Sequence, residues 1–200
     1  MADHPLVLAS RSSARRALLQ GAGLQPILAS PEVDERALEA KLLSQNPTPE
    51  TLARHLALAK ARAVSARFPG HWVLGADQVM SLDGAIFHKP VDLSTAARQL
   101  RQLAGKTHHL HAAVSLVRDG QEVFGSCDKA SLSMRALSEP FLTAYLAMAG
   151  ETILQSVGGY QLEGLGVHLF DAISGAHDTI LGLPLLPLLA FWRKSGALLQ

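Results

Sequence analysis

The stretch LVLASRSSARRALLQGAGL, Leu6 to Leu24, decides how the chain begins to fold. Leu6 to Ala9 is apolar and reads as a short buried strand. Ser10, Arg11, Ser12, Ser13, Arg15 and Arg16 then crowd three hydroxyls and three guanidiniums into seven positions. An apolar helical pattern follows from near Ala14, with Leu18 and Leu19 on its inner face. Ser12 or Ser13 is its cap, and Gly21 and Gly23 its stop. A helix that opens just after a strand presents free N–H groups and a positive dipole end, which suit phosphate oxygens. Ser10 and Ser12 can donate to such an anion, and Arg15 and Arg16 can pair with it bidentately. The same residues also fit a capped surface helix with solvated arginines.

The totals narrow the partners. The 200 residues carry a formal net charge of +1, too balanced for the basic stripe that a nucleic acid polymer requires. A small anion gripped by a local cluster of cations remains compatible with that balance. Hydrophobic residues make up 48%, enough to bury a core. Cys127 is the single cysteine, so there is no intrachain disulfide and no CxxC metal site, as fits a reducing compartment. Leu6–Ala9 is too short for the apolar core of a signal peptide. The longest apolar stretch, Ile180 to Trp192, is shorter than a membrane span and contains two prolines. The expectation is a soluble cytoplasmic protein with no membrane partner.

Further along, TPETLARHLALAKARAVSARF is the clearest helix, with Thr48 as cap or Pro49 in its first turn. Leu52, Leu56, Ala59, Ala63 and Val64 form its apolar stripe, and Lys60 lies on or beside it. Trp72 to Leu74 reads as a buried strand that Val79 to Leu82 continues, with Asp77 in a Gly-Ala turn between them. Asp83–Gly84 and the RDGQ segment are hairpin turns. LSTAARQLRQLAG is a helix capped by Ser94 or Thr95 and ended by Gly105. SEPFLTAYLAMAG is a short capped helix. Gly158 to Gly196 reads as a Gly-rich turn, two strands and a closing helix. Strands and helices mix without strict βα alternation, which predicts a mixed sheet in an α/β fold with α+β character. No linker divides residues 1–200, so a single domain is expected, with a second lobe around the middle strands.

Acids mark the second half of a site. Glu32, Asp34 and Glu35 stand together, and Asp77 has apolar flanks that make an unpaired carboxylate costly. Carboxylates joined by phosphate oxygens are how proteins hold Mg²⁺. Glu32, Asp34 and Glu35 equally serve as charges in a first helical turn. Lys60 and Lys89, each alone, read as snorkelling surface lysines. His109 and His111 share one face of a strand without a third ligand nearby, so a polar strand surface is the better reading. GxxxxGK[ST] and GxSxG are both absent.

LASRSSARR, PEVDE, LAKARA, GADQV, HKP, GGYQLEGLG and ISGAHDTILGLPLLPL occur in this order. The chain thereby resembles the Maf family of nucleoside triphosphate pyrophosphatases, from about Leu6 to Leu189. The resemblance implies an elongated α/β fold of the inosine-triphosphatase type, with a central mixed sheet and a deep cleft between two lobes. It implies hydrolysis between the α and β phosphates of a nucleoside triphosphate, with Mg²⁺ or Mn²⁺. Ser10, Ser12, Arg15, Arg16, Lys60 and Lys89 match its phosphate-binding positions. Asp34 and Glu35 match its acidic pair, which with Asp77 would hold the metal. Asp77 matches its proton acceptor.

Gln78 and Glu163 resemble the 7-methyl-GTP subgroup, where the dTTP and UTP enzymes tend to carry Thr and Gln. Ala14, at a third base-reading position, stands where that subgroup tends to have a large residue. His88 replaces its usual Gly before Lys-Pro, and Ser156 stands where the pyrimidine enzymes tend to have Lys. The alternatives are a dTTP/UTP-type pyrophosphatase and a nucleotide-binding regulator of septum formation that does not turn over. Relatives also suggest a homodimer.

Overall fold

The computed structural model describes residues 5–197. The chain runs β1 (Leu6–Ala9), α1 (Ser13–Gly21), β2 (Ile27–Leu28), α2 (Glu35–Leu43), α3 (Pro49–Ser65), β3 (Trp72–Leu82) and β4 (Ala85–Phe87). It continues through α4 (Leu93–Leu103), β5 (Thr107–Arg118), β6 (Gln121–Met134), α5 (Glu139–Ala149), β7 (Phe170–Ser174), α6 (His177–Ile180) and α7 (Leu185–Lys194). Residues 5–78, 111–129 and 176–197 form one compact unit, and Val79–Leu110 with Ala130–Gly175 form another. Strands β3, β5 and β6 each pass from one unit into the other.

In the first unit β1 lies between β2 and β3 and is parallel to both, with Val7 opposite Ile27 on one side and Val73 on the other. Alternation along the strand divides its side chains between two cores. Leu8 joins Leu19, Leu74, Ala76, Leu188 and Trp192. Val7 and Ala9 join Ala61, Val64 and Val73. A strand buried on both faces needs an unbroken apolar run, which is what Leu6 to Ala9 supplies.

In the second unit β4 folds back antiparallel on the end of β3, and β7 pairs antiparallel with the end of β6. Asp83 and Gly84 both have positive φ, 51° and 83°, as do Asp119 and Gly120 between β5 and β6 at 50° and 79°. Two-residue hairpin loops require that conformation, and Asp-Gly accommodates it. The sheet is mixed, as the sequence predicts.

The caps follow the sequence closely. Ser12 caps α1, and Thr48 caps α3 with Pro49 in its first turn. Helix α4 departs from expectation: Asp92 is its cap, its carboxylate accepting the Thr95 N–H at 2.6 Å, and Ser94 and Thr95 lie inside the helix. The stripe of α3 is Leu52, Ala53, Leu56, Ala57, Lys60, Ala61, Val64 and Ser65; Ala59 and Ala63 lie at its margin. One of the two late strands forms, as β7, while Leu165–Leu169 closes into a 3-10 turn.

The largest correction concerns Asp77. It lies inside an uninterrupted eleven-residue strand, and no turn precedes it. Gly75 serves packing instead of turning. A Cβ there would overlap the Ala57 carbonyl and lie 2.9 Å from Ala61 Cβ, so its absence lets α3 settle against β3.

No helix among the described residues is long and apolar enough to cross a membrane. Burial pushes the Cys127 thiol up to about 12, with Glu50 and Asp128 adding to the effect, so it stays protonated.

Candidate active site

The close approach of α3 to β3 sets the central geometry. Lys60 leaves α3 and Asp77 leaves β3, and the ammonium lies 2.6 Å from Asp77 Oδ1. Only 7% and 8% of these residues is exposed, so the charges are largely withdrawn from water. Glu35, in the first turn of α2, brings Oε2 to 2.7 Å from the same ammonium. Its side chain is 46% exposed, so the triad has one wet edge. A buried lysine is tolerable because two carboxylates neutralise it.

Asp34 acts otherwise. Its Oδ1 accepts the Ala37 N–H at 3.0 Å and caps α2. Glu32 makes a long contact with Arg67, 3.4 Å, at the surface. Among the described residues no group of three His, Cys, Asp or Glu side chains gathers to hold a metal. Asp34, Glu35 and Asp77 therefore do not form a closed cage on their own.

The strand-to-helix junction divides its arginines by role. Ser10, Arg11, Ser12, Ser13 and Arg16 line a pocket of about 270 Å³ with Leu28, Ala29 and Ser30. Ser12 Oγ accepts the Arg15 N–H at 3.3 Å, and Ser10 Oγ accepts the Ser12 N–H at 3.2 Å. Because both oxygens act as acceptors inside the protein, both hydroxyl protons can turn outward to an anion.

Arg15 turns inward. Its Nε donates to the Gly182 carbonyl at 2.8 Å, and one terminal nitrogen donates to the Ala76 carbonyl at 2.9 Å and to Ser10 Oγ at 3.3 Å. Burial lowers its pKa, while the negative charges of Asp77 and Glu35 work against that. Arg15 thus ties three segments together and lends positive potential to the triad. These bonds occupy Nε and one terminal nitrogen, the donors that face into the protein. Gly182, at φ 86°, leaves room for it, since a Cβ there would lie 3.2 Å from the guanidinium.

Gln78 follows Asp77 and is directed to the same loop. Its amide nitrogen donates to the carbonyls of Thr179 and Ile180, at 3.0 and 2.9 Å. Asp178 holds the other side of that loop, accepting the Thr179 N–H at 2.9 Å and the Leu185 N–H at 2.8 Å. Ala14 sits half-buried in the first turn of α1.

Lys89 and Glu163 belong to the second unit. Lys89 is exposed in the segment after β4, which Gln99 ties to α4 by donating to the His88 carbonyl at 2.9 Å. Glu163 is exposed in the turn before the 3-10 segment. His109 Nδ1 lies 2.9 Å from Ser131 Oγ on the strand surface.

The sequence reading passed over Arg11 and Ser13 as pocket-lining residues, although both stand in its opening stretch. It also passed over Asp178, whose signal was a carboxylate six residues before a proline.

Known proteins now give this arrangement a context. The family described as Maf-like protein matches residues 5–195. A nucleoside triphosphate pyrophosphatase of Bradyrhizobium diazoefficiens is 51% identical over 190 residues, covering 95% of this chain and 93% of its own. A 7-methyl-GTP pyrophosphatase of Rhizobium etli is 50% identical over 193 residues, covering 96% and 97%. Another of that name, from Brucella abortus, is 49% identical over 189 residues, covering 94% and 95%. The chain belongs to the Maf family.

Proposed function

We propose that this protein hydrolyses a nucleoside triphosphate between its α and β phosphates, releasing pyrophosphate, with 7-methyl-GTP as its preferred substrate. That it is a hydrolase of the nucleoside triphosphate pyrophosphatase class follows from the family and its relatives. The observation that carries the chemistry is the Lys60 ammonium held between Asp77 and Glu35, in the same unit as the hydroxyl- and arginine-lined pocket.

Phosphoryl transfer asks mainly for positioning and charge neutralisation. Ser10, Ser12 and Arg16, with the N–H groups that open α1, bind phosphate oxygens. Lys60 adds a positive charge beside the reacting phosphate, and Arg15 fixes the frame. Lys60 holds Asp77 Oδ1, and the other oxygen of that carboxylate accepts a proton from the attacking water. The water oxygen bonds to the α phosphorus, and pyrophosphate leaves with the bridging oxygen. Lys89 retains the phosphate-binding role that family resemblance gives it.

The donor set fits a divalent cation of the Mg²⁺ or Mn²⁺ kind. Two hard carboxylates, Glu35 and Asp77, already converge on one cation, the ammonium of Lys60. Such ions are commonly held by one or two carboxylates with substrate phosphates supplying further oxygens. Glu35 and Asp77 would hold it, with Asp34 adjoining, and the ion would polarise the phosphate under attack.

Glu163 supports the choice of base. A carboxylate accepts from the N1–H and N2–H₂ donors of guanine, a pattern uracil and thymine lack, and favours the positive charge of a 7-methylated ring. Gln78 contributes by bracing the Thr179–Ile180 loop, whereas Ala14, at the third base-reading position, offers the ring no large stacking partner. A cytoplasmic location accords with such a substrate.

The test is pyrophosphate release from 7-methyl-GTP, GTP, dTTP, UTP, CTP and inosine triphosphate with Mg²⁺ or Mn²⁺. Selective release from 7-methyl-GTP is expected. Selective release from dTTP or UTP would overturn the base assignment and keep the reaction. Nucleotide binding with no release from any of them would favour a regulator over an enzyme.

A further inference from the structure

The second unit contains a buried pair of polar rings that the phosphate chemistry does not use. His108, on β5, has no exposed surface, and Tyr160 is 5% exposed. His108 Nε2 lies 2.7 Å from the Tyr160 hydroxyl. Both rings pack on Phe170, with centroids 5.8 and 4.9 Å away. Burial, with the neighbouring His109 adding to it, holds the imidazole down to about 4, so the pair stays neutral at ordinary pH.

Tyr160 closes a glycine turn that is pinned on several sides. Gly158 and Gly159 have φ of 82° and 72°. A Cβ on Gly158 would lie 2.9 Å from the Met80 thioether and from the Tyr160 ring, and one on Gly159 would lie 3.2 Å from Ala96. Tyr145 donates its hydroxyl proton to the Gly159 carbonyl at 3.2 Å. Directly after Tyr160, the Gln161 carbonyl accepts the N–H groups of Gly164 and Gly166, at 3.2 and 3.1 Å. Gly166 has no room for a side chain, because a Cβ would overlap that carbonyl. Glu163 stands on this tight turn, three residues beyond the anchored tyrosine. The backbone that carries Glu163 thus runs on directly from Tyr160 into this turn.

We propose that the His108–Tyr160 pair is the positioning anchor of the Glu163 turn, and so a determinant of base selectivity. This rests on the reading of Glu163 as the residue that reads the base. Packing alone would fill the same volume with two apolar rings. The hydrogen bond adds a fixed ring depth and direction, because a buried hydroxyl without its partner is costly.

The experiment compares kcat/KM for 7-methyl-GTP and UTP in the wild type, Tyr160→Phe, Glu163→Gln and the double variant. Tyr160→Phe keeps the ring and removes the hydroxyl. It is expected to lower the 7-methyl-GTP over UTP ratio about three- to tenfold through KM, with kcat on UTP within about twofold of wild type. Glu163→Gln is expected to lower the ratio at least as far, and the double variant no further than Glu163→Gln, because the two act in one chain. His108→Gln, whose amide can replace the ring nitrogen, should keep the ratio, and His108→Leu should lose it.

A Tyr160→Phe protein with unchanged ratio beside a collapsed ratio in Glu163→Gln would overturn the anchor and leave the Glu163 reading standing. The anchor would also be overturned by equal loss on both nucleotides, which is what a merely structural role gives. An unchanged ratio in Glu163→Gln would overturn both.

Discussion

The ammonium of Lys60 lies 2.6 Å from Asp77 Oδ1, and both residues are more than nine-tenths buried. A salt bridge at this depth is a poor source of net stability, because desolvation offsets much of the attraction. Its value lies in aiming a carboxylate, with Asp77 Oδ1 fixed on the ammonium. Asp77→Asn keeps the shape and removes the proposed proton acceptor. Turnover should fall by about a hundred- to ten-thousandfold with nucleotide binding largely retained. Pyrophosphate release and nucleotide titration on the same preparation check this; near wild-type turnover would remove Asp77 from the role.

On the proposed reading, a divalent ion held by Glu35 and Asp77 would share their oxygens with the Lys60 ammonium. Lys60→Gln should bind Mn²⁺ more tightly than the wild type in the absence of nucleotide, by about tenfold for one removed charge at close range. Electron paramagnetic resonance of free Mn²⁺ reads this without any turnover. Weaker or equal Mn²⁺ binding by the variant would show that Glu35 and Asp77 do not provide the ion's place.

Arg15 and Arg16 are neighbours placed differently: Arg15 turns inward to two carbonyls, and Arg16 lines the pocket. Arg16→Ala should raise KM about tenfold or more, the worth of a charge-assisted hydrogen bond, and leave the melting temperature nearly unchanged. Arg15→Lys loses the fork that reaches Gly182 and Ala76 together, so it should lower stability by about 1–3 kcal/mol. Thermal unfolding beside steady-state kinetics separates the two. Equal melting temperatures would contradict the inward role of Arg15.

Gly75→Ala tests the contact that builds the triad. Its methyl would meet the Ala57 carbonyl and Ala61, so α3 must retreat from β3, and Lys60 retreats with it. The loss of stability should be about 1–3 kcal/mol, with a fall in kcat. Wild-type activity and melting temperature together would mean that the helix yields without moving Lys60.

His108 gives the fold a measurable acid sensitivity. Its pKa is about 4, against an ordinary value of 6.5. Between those values the unfolded chain binds the proton more readily, so stability climbs with pH through the window and is complete above it. As pH falls from 6.5 toward 4, the wild type should lose up to about 3 kcal/mol that His108→Gln does not lose. Denaturant unfolding at several pH values gives the two curves, and parallel curves would count against a buried neutral imidazole.

Much of the local structure could be read from the residues. Ser12 and Thr48 as caps, Pro49 in a first turn and two Asp-Gly hairpins all act within about four residues of the structure they cause. The same reach explains the error at α4. Asp92, Ser94 and Thr95 can all cap a helix, and only the formed backbone shows that the Asp92 carboxylate meets the Thr95 N–H.

The sequence by itself determined the strand-to-helix junction, the hairpins, the mixed character of the sheet and the family. These depend on short-range backbone preferences and on motif order. The tertiary structure alone decided which partners the candidate site residues meet. Arg15 reaches carbonyls 61 and 167 positions away, a tie between segments that its place in the opening stretch did not show. Gly75 looked like a turn glycine until α3 lay against it. Lys60 read as a surface lysine until folding enclosed it between two carboxylates. A side chain's role follows from which partners desolvate it and satisfy its hydrogen bonds, and those partners come from distant parts of the chain.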